Sequence, residues 1–195
     1  MPQEHSPTFQ AMIAATEELV REKGCRRTTL QDIMDRTGLS KGAIYHYVKS
    51  KDELYGLILK TKMEEANRRF FQAAEAGGKA LLPPLQTISD GLVRILDKKD
   101  VSNQIFVYLL SQQELPAIKQ MLQDLYAQAV EMAVNWIRTG QREGVISAGL
   151  DARRAAELFV LITYGFRMRS MIEPASTDFG LDAFQELMQQ MLQGQ

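Results

Sequence analysis

Between Gly38 and Lys51 the chain gathers side chains suited to handling an anion: Ser40, Lys41, Tyr45, His46, Tyr47 and Lys51. Two more hydroxyls, Thr28 and Thr29, stand just upstream. Hydroxyls beside helix N-termini suit phosphate oxygens, because free backbone N–H groups there attract negative charge. Lys41 and Lys51 neutralise phosphates, and Lys41 is also long enough to reach a guanine edge. Gly42 and Ala43 are small, which lets a helix backbone come close to bases. Tyr45, His46 and Tyr47 add hydroxyl and imidazole donors for phosphates, and ring faces for sugars or thymine methyl groups. For Tyr45 and Tyr47 a second reading stands beside this one, packing against the first helix, and for His46 the second reading is a plain surface position.

The same stretch spells a competing chemistry. Gly38-Leu39-Ser40-Lys41-Gly42 matches G-x-S-x-G, the nucleophile elbow of serine hydrolases. That elbow needs a strand before the serine, then an acid and a histidine further along. Helical periodicity precedes Ser40, and His5 and His46 are the two histidines of the chain. His46 follows on the same short helix, with no room for the Ser, acid, His order. There is no H-E-x-x-H and no glycine-rich phosphate loop. Cys25 is the single cysteine, so neither an intrachain disulfide nor a cysteine metal cluster forms. No enzyme, metal or cofactor is expected.

Charge distribution points the same way. The whole chain has a formal net charge of -1, which says nothing about nucleic acid. From Lys23 to Lys51, however, seven basic residues (Lys23, Arg26, Arg27, Arg36, Lys41, Lys49, Lys51) face two acids, Asp32 and Asp35. The remainder is therefore net acidic, and on charge alone the basic stretch reads either as an electrostatic footprint for an anion such as DNA or as a solvated basic loop.

The periodicity is helical almost throughout, with prolines and glycines falling mostly between periodic segments. Ser6 and Pro7 open a first helix that buries Met12, Ile13, Leu19 and Val20 and stops at Gly24. A short helix follows Thr28-Thr29, where Thr29 with Asp32, or Thr28 with Gln31, resembles a capping box. It ends near Gly38, since glycine tolerates the positive φ of a tight turn. Ser40 caps a third helix over KGAIYHYV, with Ile44 and Val48 on its inner face. Lys51-Asp52 opens a fourth, running to about Ala76. After the GGKALLPP break, amphipathic helices are predicted at 83–98, 102–113, 116–141, 151–172 and 181–193. The expected fold is all-α: a three-helix helix-turn-helix domain over 6–66 (motif about 29–48) and a helical bundle over 67–195, about nine helices in total.

The segment from Met12 to Leu59 resembles the N-terminal domain of the tetracycline-repressor (TetR) family. The resemblance rests on Ala14-Ala15, Gly24, TTLQDI, GLSKGAIYHYV and KSKDEL taken together, about a quarter of the chain. It implies that the third helix is a recognition helix, and that Tyr45, His46, Tyr47 and Lys51 contact the DNA backbone. Three positions depart from the pattern. Val48 replaces the usual Phe, Cys25 stands where an aromatic often follows the glycine, and no Lys or Arg precedes Arg21 to serve a minor-groove arm.

The same resemblance implies that the C-terminal region binds an effector and dimerises. Leu158–Ile162 is apolar on every side, so one core face does not bury it all. On that basis Leu158, Phe159 and Ile162, with the apolar stripe of Phe184, Leu187, Met188 and Met191, are candidates for a two-fold interface, a purely intrachain core being the alternative. Such a dimer sets recognition helices about 34–36 Å apart, or a multiple, on a palindromic operator. Phe106, Tyr108, Tyr126, Trp136 and Tyr164 are candidates for an apolar effector pocket, with Arg167 either facing an anionic group or standing at a solvated helix end. Aromatics at helical spacing equally serve as plain core. The overall expectation is a ligand-released repressor acting on double-stranded DNA as a homodimer, with an unidentified effector. The alternatives are a helical protein-interaction module or a small-molecule carrier. Without a signal peptide or an apolar stretch of membrane length, a cytoplasmic address without membrane segments is predicted.

Overall fold

A computed structural model describes residues 6–77, 93, 97, 100–172 and 179–193. The described residues contain eight helices and no strand: α1 (Pro7–Arg27), α2 (Leu30–Thr37), α3 (Lys41–Tyr45), α4 (Lys51–Gly77), α5 (Val101–Leu110), α6 (Pro116–Arg142), α7 (Ala152–Ile172) and α8 (Leu181–Gln193). The helix expected at 83–98 lies outside the described residues, apart from two isolated positions. By packing, the chain forms two compact units, Met1–Thr61 with Val101–Gln123, and Lys62–Asp100 with Asp124–Gln195.

In the first unit, α1 starts as its sequence dictates. The Ser6 side chain accepts a bond from the Phe9 N–H, and Pro7 takes the first position, where its missing N–H costs nothing. Phe9, Met12, Thr16, Leu19 and Val20 form its buried face, while Ile13 is only partly buried. Gly24 breaks the helix at φ 78, ψ 161, and one further turn carries the chain to Arg27. The expected stop at Gly24 is thus a kink: Thr28 N–H closes the last turn on the Gly24 carbonyl. The capping box belongs to Thr29 and Asp32, each side chain bonding the other's backbone N–H. Gly38, at φ 70, ends α2 in the left-handed conformation and donates to the Met34 carbonyl. Ser40 caps α3 through the Ala43 N–H. Regular α3 ends at Tyr45 rather than Val48, and a turn on the Ile44 carbonyl completes the segment. Against this frame α4 sets Leu54, Tyr55, Ile58 and Leu59, all buried. Helix α5 contributes Val101, Ile105 and Leu109 to the same core, and α1 packs on both α2 and α5.

The second unit closes around Val130, Val134, Ile137, Val160, Phe166, Phe184 and Met188. Trp136 stacks on Phe70 at 4.6 Å and donates its indole N–H to Asn67 Oδ1 at 2.7 Å. Phe184 meets Phe166 edge-on at 5.5 Å. The Ser147 N–H donates to the Leu192 carbonyl, which ties the α6–α7 connection to α8. No helix among the described residues is long and apolar enough to cross a membrane.

Candidate nucleic-acid interface

Helix α3 is only Lys41–Tyr45, so its orientation depends on its buried side. Ile44 is fully buried and Val48 nearly so, which seats the inner face. The outer face carries Lys41, Gly42, Tyr45 and His46, all exposed, with Ala43 at its margin. Tyr45 is 46% exposed, too open to be core. The Lys41 ammonium lies 5.5 Å from the centre of the Tyr45 ring, a cation–π pair that steers both groups outward together. Ser40 stands exposed at the N-terminus of α3, where its Oγ already accepts the Ala43 N–H and keeps its own proton to donate.

Other candidates have intramolecular work. Thr28 is fully buried, and its hydroxyl donates to the Gly24 carbonyl at 3.1 Å. Thr29 is exposed, but its hydroxyl donates to Asp32 Oδ2 at 2.6 Å. Tyr47 follows the packing alternative: its hydroxyl is 2.7 Å from Ser6 Oγ and its ring centre 5.6 Å from that of Phe9. His46 packs edge-on against Tyr47 at 5.2 Å. The Lys51 ammonium donates to three backbone carbonyls, Cys25, Arg26 and Thr28, at 3.0–3.1 Å. These carbonyls end α1 and lead into α2, so Lys51 pins the start of α4 to that corner.

The basic surplus is also redistributed by the fold. Lys23 pairs with Asp32 at 2.6 Å, and Arg36 pairs with Glu18 and Glu22. Lys23, together with the Thr29 hydroxyl, holds the Asp32 carboxyl down at about 2. Arg26, Arg27, Lys41 and Lys49 are left exposed on this side of the sequence. In the sequence Arg26 and Lys49 stand out only as charge. Nothing in composition separates them from Lys23 and Arg36, whose acidic partners include residues 14 and 18 positions away. Burial raises the Cys25 thiol to about 11, so it stays a neutral, unreactive packing group at physiological pH.

The serine-hydrolase reading of Ser40 lacks its scaffold: α2 precedes the serine and α3 follows it. No group of three or more His, Cys, Asp or Glu side chains poised for a metal ion occurs among the described residues.

The effector candidates fall into two sets. Phe106 and Tyr108 sit in the first unit, whereas Tyr126, Trp136, Tyr164 and Arg167 sit in the second. Phe106 is buried, and Tyr108 donates to Asp52 Oδ1 at 3.0 Å. In the second unit Tyr126 meets Tyr164 edge-on at 5.7 Å, and the Arg167 guanidinium lies 5.9 Å from the Tyr164 ring centre. Burial lowers the Arg167 pKa from its ordinary value. Of the interface candidates, Phe184 and Met188 are buried in the core of the second unit, and Phe159, Ile162 and Met191 are partly buried against it. Leu158 and Leu187 are exposed at 42% and 40%, and the intervening Leu161 at 58%.

Comparison with known proteins places this geometry. Residues 12–58 match the family model described as bacterial regulatory proteins, tetR family. The chain is 26% identical over 165 residues to the uncharacterized HTH-type transcriptional regulator YfiR of Bacillus subtilis, covering 83% of this chain and 80% of that one. It is 21% identical over 170 residues to the HTH-type transcriptional repressor BepR of Brucella suis, covering 84% and 80%. Among solved structures, a TetR transcription regulator from Haloarcula marismortui superposes with a TM-score of 0.70 at 21% identity, covering 96% and 97%. A SmeT–triclosan complex superposes with a TM-score of 0.62 at 21% identity, covering 97% and 91%.

Proposed function

We propose that this chain, which belongs to the tetR family of bacterial regulatory proteins, is a ligand-released repressor that binds a palindromic operator as a homodimer. Its role as a DNA-binding transcriptional regulator is the premise. The observation that carries the site is the two-sidedness of α3: Ile44 buried, Lys41 and Tyr45 exposed and stacked together. A short helix with that polarity suits the major groove, its lysine reaching base edges or phosphates and its tyrosine hydroxyl a phosphate. Ser40, Gly42, Ala43 and His46 complete the proposed contact face, with Arg26 and Lys49 as added phosphate partners. Thr29 supports it by capping α2. In chain order, DNA reading is assigned to 6–66 and effector binding with dimerisation to 67–195, of which 101–123 packs in the first unit.

The effector reading draws on the aromatic second unit and on the triclosan bound in the SmeT complex. Release is proposed as a population shift. Helix α4 is continuous from Lys51 to Gly77, so a ligand that favours another tilt of it displaces the α3 corner at its N-terminus. Moving such an equilibrium from one side to the other takes about 5 kcal/mol of differential affinity. A cytoplasmic site of action is part of the same reading, since the operator it binds lies there.

Gel shift against the promoter region beside its own gene tests it. Binding is expected to weaken steeply with salt, because counterions return to the phosphates. Lys41→Ala lowers affinity by about 1–3 kcal/mol for a lost base contact, and Tyr45→Ala lowers it through a lost phosphate contact, neither with a lower melting temperature. A Tyr45→Ala protein that melts earlier yet binds DNA as tightly as wild type defeats the assignment of this face.

A further inference from the structure

Tyr108 lies 56 positions beyond Asp52, on α5, yet it closes the network at the start of α4. Its hydroxyl donates to Asp52 Oδ1 at 3.0 Å. Its ring centre lies 5.4 Å from the Lys51 ammonium and meets the Tyr55 ring edge-on at 5.5 Å. Tyr55, itself fully buried, donates to the Cys25 carbonyl at 3.0 Å, one of the three carbonyls that Lys51 also holds. One aromatic side chain of α5 thus touches both residues that open α4. Through them it reaches the end of α1 and the lead into α2. Helix α3 ends at Tyr45 and α4 begins at Lys51, so this corner sets the pose of the short recognition helix.

We infer that Tyr108 is a positioning residue for DNA binding, holding the Lys51–Asp52 corner in the geometry that presents α3. The inference rests on the reading of α3 as the DNA-reading helix. It gives Tyr108 a role other than lining an effector pocket. The bond to Asp52 is charge-assisted, and the carboxylate sits in the first turn of α4, where the helix dipole favours it. Loss of the hydroxyl leaves that carboxylate short of a donor and lets the corner sample other poses. Affinity then falls by the fraction of molecules still in the binding pose.

Tyr108→Phe tests this, because it keeps the ring and the net charge. The probe is a duplex enriched from a random pool by the wild-type protein. Tyr108→Phe is expected to bind it about tenfold more weakly, the usual scale of a hydrogen bond to a charged group. The slope of log affinity against log salt is expected to stay unchanged, since the bound state keeps its phosphate contacts. Far-UV circular dichroism at the binding temperature confirms the folded state. In an Asp52→Ala background, whatever that charge change does alone, Tyr108→Phe is expected to add nothing. Wild-type affinity in folded Tyr108→Phe overturns the inference, as does an undiminished loss in the Asp52→Ala background. A reduced salt slope overturns it in favour of a direct phosphate contact. If the wild-type protein enriches no duplex, the reading of α3 fails first and takes the inference with it.

Discussion

Asp32 shows how much one side chain at this surface does. It accepts the Thr29 backbone N–H and hydroxyl and pairs with Lys23, and together these bonds hold its carboxyl from 3.8 down to about 2. A depressed carboxyl stabilises the fold when ionised. The contribution is therefore whole above pH 3.8 and is lost as pH falls through about 2. Asp32→Asn is expected to melt below wild type at neutral pH, with the gap narrowing on acidification across that window. Thermal melts by circular dichroism at a series of pH values measure it, and a gap independent of pH disproves the ionic part. The group is largely solvent-facing, so screening limits its size. At the same scale the basic residues of 23–51 divide by partner: Lys23, Arg36 and Lys51 are engaged within the chain, while Lys41 and Lys49 stand exposed.

The connection after α6 folds back closely on that helix where glycine removes a side chain. At Gly140 on α6, an added Cβ comes within 2.4 Å of Ile146 Cδ1 and 2.6 Å of its Cγ1. Ile146 is buried and β-branched, so it has little room to rotate away. Overpacking of this kind costs about 1–3 kcal/mol, against a gain of about 1 kcal/mol from replacing glycine in a helix. Gly140→Ala is therefore expected to be net destabilising in urea denaturation. Combined with Ile146→Ala, the same change is expected to cost nothing more, because the obstructing atoms are gone. The termini of these helices were readable from local chemistry: Ser6, Thr29, Gly38 and Ser40 each act as their residue types demand. Three ends differ from expectation. The kink at Gly24 allows one more turn, α3 stops at Tyr45, where Tyr47 turns to meet Ser6 and Phe9, and α5 gives way to turns after Leu110 rather than running to 113.

At the scale of the whole molecule the proposed dimer has a specific test. Leu158 and Leu161 on α7 are exposed at 42% and 58%, and Leu187 on α8 at 40%. Large apolar side chains left open in this way mark association surfaces when they cluster. Leu161→Glu introduces a charge that a dry interface does not tolerate. Sedimentation is expected to show a dimer for wild type and a monomer for Leu161→Glu, with unchanged helix content and weakened operator binding. A Leu161→Glu protein that sediments as wild type does removes α7 from the interface. Phe184 and Met188 answer to a different test, since both are buried in the core of the second unit.

By itself the sequence determined the all-helical class, most helix limits, the helix-turn-helix at Leu30–Val48 and the inward turn of Ile44. Those features depend on neighbours a few positions apart: caps, the helical repeat of apolar residues, and glycine at a positive φ. Tertiary structure alone decided which polar side chains remain available. Lys51 carries the same group as Lys41, yet its ammonium is taken by the backbone carbonyls of Cys25, Arg26 and Thr28, more than twenty positions away. Tyr108 looked like any aromatic on a helix, and its partners Lys51, Asp52 and Tyr55 are more than fifty positions away. The physical reason is the same in each case. A helix repeat states which face is buried, but only the assembled chain brings a distant donor and acceptor into hydrogen-bond reach.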